Sequence, residues 1–89
     1  MKIKLELFGA SRDFSENDHL EIEVKDKASI DDLRNEIIKY IDKNFEGNES
    51  FVKVVKSSAF CSENNEIISD NYKITKDQKI GIIPPIGGG

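Results

Sequence analysis

Leu20-Glu21-Ile22-Glu23-Val24-Lys25-Asp26-Lys27-Ala28-Ser29-Ile30-Asp31-Asp32-Leu33-Arg34-Asn35-Glu36-Ile37-Ile38-Lys39-Tyr40-Ile41 is the stretch in which the hydrophobic period changes, and that change decides the fold. Leu20, Ile22 and Val24 alternate with Glu21, Glu23 and Lys25, the period of two of a strand with one buried face. From Ser29 onward Ile30, Leu33, Ile37, Tyr40 and Ile41 fall at helical spacing and form one apolar stripe. Ser29 supplies an N-cap oxygen, Asp32 completes the capping box, and Asp31 and Asp32 sit against the positive end of the helix dipole. Lys39 and Lys43 lie near the far end and Gly47 follows, so the helix is expected to stop near Lys43 or Asn44.

Working outward, Ile3, Leu5 and Leu7 alternate with Lys2, Lys4 and Glu6, a first strand that Phe8 extends and that should pair antiparallel with the second. Gly9 to Asp18 is polar and rich in turn residues, which predicts a hairpin loop. Residues 45–56 stay open, because Phe51-Val52-Lys53-Val54-Val55 suits a short helix and a strand equally well. Ser58 to Cys61 reads as a third strand, Glu63-Asn64-Asn65 as a turn, Ile67-Ile68 as a fourth strand, Ile74 as a core plug and Lys79 to Ile83 as the last strand. Two strands, a helix and further strands predict an α+β domain, a single mixed sheet packed on one main helix. The expected division is a body over residues 1–83 and an extended, flexible tail over residues 84–89.

The tail is Pro84-Pro85-Ile86-Gly87-Gly88-Gly89. Each proline fixes φ and biases the preceding residue to extended backbone, while glycine, lacking Cβ, fits a slot too narrow for side chains. Six extended residues reach about 20 Å. A glycine run also fits a frayed end or a linker. Here the prolines stiffen it and the glycines finish the chain, which suits a carboxylate that is to be activated and transferred.

The rest of the sequence offers little chemistry. With 89 residues the chain has room for one sheet and one or two helices, without a deep cleft of its own. A net charge of −4 and a pI near 5.0 argue against tracking nucleic-acid phosphates. One cysteine allows no internal disulfide, and neither a membrane-length apolar run nor a signal-like segment is present, so no membrane partner is expected and the cytoplasm is the default compartment. No metal-ligand spacing or phosphate loop occurs. His19 reads as a solvent-facing or capping residue, and Cys61 as a buried, inert thiol. Asn48-Glu49-Ser50 matches a glycosylation sequon that means nothing without secretion. Arg12 and Asp13 on pattern alone form a solvated pair.

The ending Ile83-Pro84-Pro85-Ile86-Gly87-Gly88-Gly89 resembles that of the MoaD family, the small subunit of molybdopterin synthase within the MoaD/ThiS superfamily. Phe8-Gly9-Ala10-Ser11-Arg12-Asp13 resembles that family's early Phe-Ala-x-x-Arg-Glu segment, and Ser29-Ile30-Asp31-Asp32-Leu33 its helix start. Two segments depart from the pattern: Lys76-Asp77-Gln78-Lys79, where the family often has Asp-Gly-Asp-Glu, and Phe60-Cys61, where it tends to have Val-Asn. The resemblance implies a β-grasp, ubiquitin-like fold and a sulfur carrier that is not catalytic alone. It implies that a ubiquitin-activating-type adenylyltransferase (MoeB-like) uses ATP to adenylate Gly89, that a sulfur donor converts it to a thiocarboxylate, and that the large synthase subunit (MoaE-like) accepts the tail. Gly88 and Gly89 would then carry the reaction, Ile83, Pro84, Pro85, Ile86 and Gly87 the reach and partner binding, and Phe8 and Arg12 the docking. No intrinsically bound cofactor or metal is implied. Lysine-conjugating ubiquitin-like modifiers can share the fold and tail and are the alternative, with sulfur carriers for thiamine or tRNA thiolation as a third option; those of the thiamine type usually lack the paired prolines and are shorter.

Overall fold

A computed structural model of the chain describes residues 1–85. Ile86, Gly87, Gly88 and Gly89, four of the expected site residues, lie outside the described residues. The alternating stretches form β1 (Lys2–Leu7) and β2 (His19–Glu23), paired antiparallel with Ile3 opposite Ile22 and Leu5 opposite Leu20. Further along the chain come β3 (Ala28–Ser29), α1 (Ile30–Phe45), α2 (Glu49–Ser57), β4 (Ala59–Cys61), β5 (Ile67–Ile68), β6 (Lys73–Ile74) and β7 (Gln78–Ile83). Five strands make a mixed sheet in the order β2-β1-β7-β4-β5, and β3 with β6 forms a separate two-stranded ribbon. This is the β-grasp layout, with α1 lying across one face of the sheet.

Helix α1 begins as its sequence dictates. Ser29 Oγ accepts from the Asp32 N–H at 3.1 Å, and the Asp32 carboxylate accepts from the Ser29 N–H at 2.9 Å. It ends at Phe45, slightly later than expected, because Glu46 takes the left-handed conformation (φ 53°) and its N–H returns to the Ile41 carbonyl. Ile30, Leu33, Ile37 and Ile41 are fully buried against Ile3, Leu5, Ile80 and Ile82 of the sheet. Each such side chain contributes roughly 1.5–3 kcal/mol through burial.

Several expectations need correction. Residues 9–14 form a 3-10 helix rather than a hairpin loop, and Phe8 precedes it instead of extending β1. Polarity misled the reading, because Ser11 is buried and its polar atoms are met locally: its hydroxyl donates to the Phe8 carbonyl at 2.6 Å and accepts from the Phe8 N–H at 3.0 Å. Phe14, from the same segment, plugs the core. The open stretch is resolved as α2, started by Asn48, whose side chain accepts from the Ser50 and Phe51 N–H groups. Val55 of α2 is buried, and Phe51 packs on Phe14 and Phe45 with ring centroids 5.2 and 5.1 Å apart. The Ile74 plug is buried as expected, but within the β3–β6 ribbon.

Candidate functional site

The site is assembled by a parallel pairing. β7 runs beside β1 in the same direction, with Leu5 next to Ile80 and Leu7 next to Ile82. The two strands therefore end together, which brings Phe8 and Gly9 alongside Ile83 and Pro84. Gly9 holds φ +54°, a conformation that side chains with Cβ resist, and it lets the chain turn into the 3-10 helix directly after Phe8. Pro84 is buried and lies close to Gly9, its ring carbons 3.9 Å from where a Cβ there would sit. Pro85 is exposed. The root of the arm is thus packed at the end of a central strand.

Phe8 rests on the outer face of the sheet, the face turned away from α1. Beneath it Gly81 interrupts a run of isoleucines, and a Cβ there would lie 3.0 Å from Phe8 Cε2 and 2.7 Å from Cys61 Sγ. Glycine is required because the ring and the sulfur both close on the backbone at this point. Register sets Gly81 opposite Cys61 and Cys61 opposite Ile67. The result is an apolar strip crossing the sheet from Phe8, 41% exposed, to Ile67, 68% exposed. Gly81 and Cys61 in its middle are buried, and the exposed apolar side chains at its two ends give a surface that another protein can cover. Beside the strip, Lys79 Nζ pairs with Glu6 Oε2 at 3.3 Å.

On the other side of the arm's root, Ala10, Ser50, Lys53, Val54, Ser57, Pro84 and Pro85 line a hollow of about 290 Å³. Residues 50, 53, 54 and 57 share one face of α2, so that face is one wall of the exit. The wall is fixed by Arg34 of α1, whose Nη1 donates to the Val55 and Ser58 carbonyls at 2.7 and 2.9 Å. Its Nη2 reaches Asp70 Oδ1 at 2.9 Å, and the guanidinium lies 5.0 Å from the Phe60 ring centroid. The sequence reading singled out neither Arg34 nor Gly81. Gly81 carried a local signal, as glycine inside a strand, whereas the groups to which Arg34 donates hydrogen bonds are 21–36 residues away and left none.

Of the expected site residues, Phe8, Ile83, Pro84 and Pro85 come together. Arg12 is exposed and lines a different hollow of about 590 Å³ with Asp13, Phe14, Tyr40 and Phe45 among others. Near it, the Tyr40 hydroxyl donates to the Phe14 carbonyl at 2.7 Å, and burial pushes its pKa above the ordinary value. His19 Nδ1 lies 3.0 Å from Asp18 Oδ1, and this contact holds the Asp18 carboxyl below the ordinary value. Cys61 is buried. Among the described residues no three His, Cys, Asp or Glu side chains are grouped to hold a metal ion, and no helix is long and apolar enough to cross a membrane.

Comparison with known proteins gives the same architecture. The fold is similar to that of a Pyrococcus furiosus chain with the provisional name molybdopterin converting factor subunit 1, at 24% identity and a TM-score of 0.68 over 96% of this chain and 98% of that one. It is equally similar to SAMP1 from Haloferax volcanii, at 13% identity and a TM-score of 0.68 over all of both chains. At these identities the likeness is one of fold. No curated protein sequence gives a significant match. A sequence model of the ThiS family matches residues 5–89, which takes in the Phe8 segment, the helix start and the glycine ending, and the chain therefore belongs to the ThiS family of ubiquitin-like sulfur carriers.

Proposed function

We propose that this chain carries sulfur on Gly89 and donates it, as the small subunit of molybdopterin synthase, to cyclic pyranopterin monophosphate. A free carboxylate is a poor acyl donor. In this reading the Gly89 carboxylate attacks the α-phosphorus of ATP on a ubiquitin-activating-type adenylyltransferase and expels pyrophosphate. A sulfur donor then displaces AMP and leaves the thiocarboxylate, whose sulfur is the nucleophile toward the pterin precursor inside the large subunit. ATP belongs to the activating enzyme.

The observation that carries the reading is the anchored root: Pro84 is buried at the end of a central strand, Pro85 is exposed, and an apolar strip beginning at Phe8 lies beside them. The glycines thus follow a fixed point next to a surface suited to a partner, which favours delivery into another protein's active site. The paired prolines favour the molybdopterin branch over the thiamine-type carriers. Gly88 and Gly89 take the reactive role, Ile83 to Gly87 the reach, and Phe8 and Arg12 contact the partners.

Intact-mass measurement of the chain from cells containing its activating enzyme tests this. Replacement of one terminal oxygen by sulfur, abolished by deletion of Gly89, is the expected result; a free carboxylate under all conditions refutes it. Lysine-linked adducts that vanish on Gly89 deletion would instead identify a protein modifier, since an activated glycine is open to an amine as well as to sulfur.

A further inference from the structure

The sheet has an open edge two strands over from the arm's root. Met1 and Val24 exchange both backbone hydrogen bonds, at 2.7 and 2.9 Å, and the Leu7 N–H donates to the Asp18 carbonyl at 2.9 Å. Between these ends the antiparallel ladder alternates, so Leu20 and Ile22 spend their N–H and C=O groups on β1. His19, Glu21 and Glu23 turn theirs outward, to an edge that no other described strand covers. This edge has no proline and no bulge, and its five-residue register is continuous.

Alongside it runs a groove between β2 and α1. Two hollows of about 870 and 340 Å³ share Glu23, Glu36 and Lys39 and follow the seam from Met1 to Asn44. Extended chain laid on the edge would therefore find room for the side chains it turns toward α1. On the outer face charge already alternates between strands, since Lys2 stands opposite Glu23 and Lys4 opposite Glu21. A strand added beside β2 continues that alternation only if it carries cations opposite Glu21 and Glu23. A second copy of the chain does not meet this condition. Antiparallel self-pairing centred on Glu21 sets Glu21 against its own counterpart, and like charges directly opposite are unfavourable.

We propose that the β2 edge and the β2–α1 groove form a second binding site, which takes an extended polypeptide segment with basic residues at alternate positions. Backbone pairing supplies the binding, and Glu21 and Glu23 select the segment. The inference does not depend on sulfur carriage. Because the site lies two strands away from β7, a segment held there leaves the arm's root uncovered.

Titration of the isotope-labelled chain with the heptapeptide Val-Lys-Val-Lys-Val-Lys-Val, followed through backbone amide shifts, tests it. Saturable shifts are expected at His19, Glu21 and Glu23, with binding about tenfold tighter than that of Val-Glu-Val-Glu-Val-Glu-Val. The Glu21→Lys, Glu23→Lys double variant should reverse the preference, and the milder Glu21→Gln, Glu23→Gln variant should abolish it while keeping the spectrum of the fold. Equal binding of the two peptides, shifts centred elsewhere, no binding by the folded chain, or shifts that track protein concentration without peptide would each overturn the proposal.

Discussion

Replacement of Arg34 by Met should be among the most damaging single changes outside the aliphatic core. Met keeps much of the aliphatic stem but removes every donor and the guanidinium that lies over the Phe60 ring. The Asp70 partner is 71% exposed, so that pair is worth less than about 1 kcal/mol. The carbonyl bonds matter more, because Arg34 is only 12% exposed and hydrogen bonds to a charged donor are worth about 1.5–3 kcal/mol each. Val55 O keeps the Ser58 N–H at 3.3 Å as a second donor, so only the Ser58 carbonyl loses its main partner. The sum is about 3 kcal/mol, a large share of the roughly 5–10 kcal/mol expected for a domain of this size. With an unfolding entropy near 2.1 cal/mol/K per residue over 89 residues, the midpoint should fall by about 15 °C in thermal unfolding followed by circular dichroism. Arg34→Lys should recover about half, since one ammonium cannot span both carbonyls. Amide exchange in α2 should rise more than in β1. A fall below about 5 °C, or loss spread evenly over the fold, would refute the view that one guanidinium holds α2 against the body.

Two further predictions follow from close contacts and charge. Gly81→Ala should cost about 1–3 kcal/mol, because the new methyl meets the Cys61 sulfur as well as the Phe8 ring. Cys61→Ala in that background should restore about 1 kcal/mol beyond additivity, and additive effects in urea unfolding would show that the sulfur is not the obstacle. Asp32 is held below its ordinary value of 3.8, first by the Ser29 N–H and then by the Ser29 hydroxyl. A depressed folded-state pKa gives stability that is fully present above the ordinary value and is lost as pH falls through the folded one. The gap between the native chain and Asp32→Asn should therefore narrow as pH drops below about 3.8, and a constant gap would remove Asp32 from the acid response.

How far the sequence could be read followed the range of the forces involved. Periodicity and capping are local, so β1, β2 and α1 were legible from Ile3 to Ile41, as was the antiparallel pairing of the first two strands. The 3-10 helix was not, because its polar residues satisfy one another at short range while a single aromatic, Phe14, does the burying. In α2 the β-branched run of Val52, Val54 and Val55 competed with a helical reading, and the deciding signal was the Asn48 cap, a residue noted only as part of a sequon without meaning here. At the arm's root Gly9 and Pro84 lie side by side, a neighbourhood that follows from the parallel β1–β7 register and not from any local signal. Gly9 and Gly81 each carried a local cue, but what makes them matter, Pro84 for the one and Cys61 for the other, is distant in sequence, as are the contacts that fix the α2 wall.

Under the proposed reading, the same register also bears on how the body would present its end to a partner. A carrier arm hung from a loose loop would have to be located afresh by each partner, and the ordering cost would fall on every encounter. Here Pro84 is set by Gly9 and the end of β7, the apolar strip lies on one side and the α2 wall on the other. A partner that covers Phe8 has therefore already fixed where the arm begins, so part of the positioning is complete before the glycines are engaged. Changes at Phe8 should accordingly weaken encounter with the partners, whereas removal of Gly89 should abolish transfer with little effect on encounter.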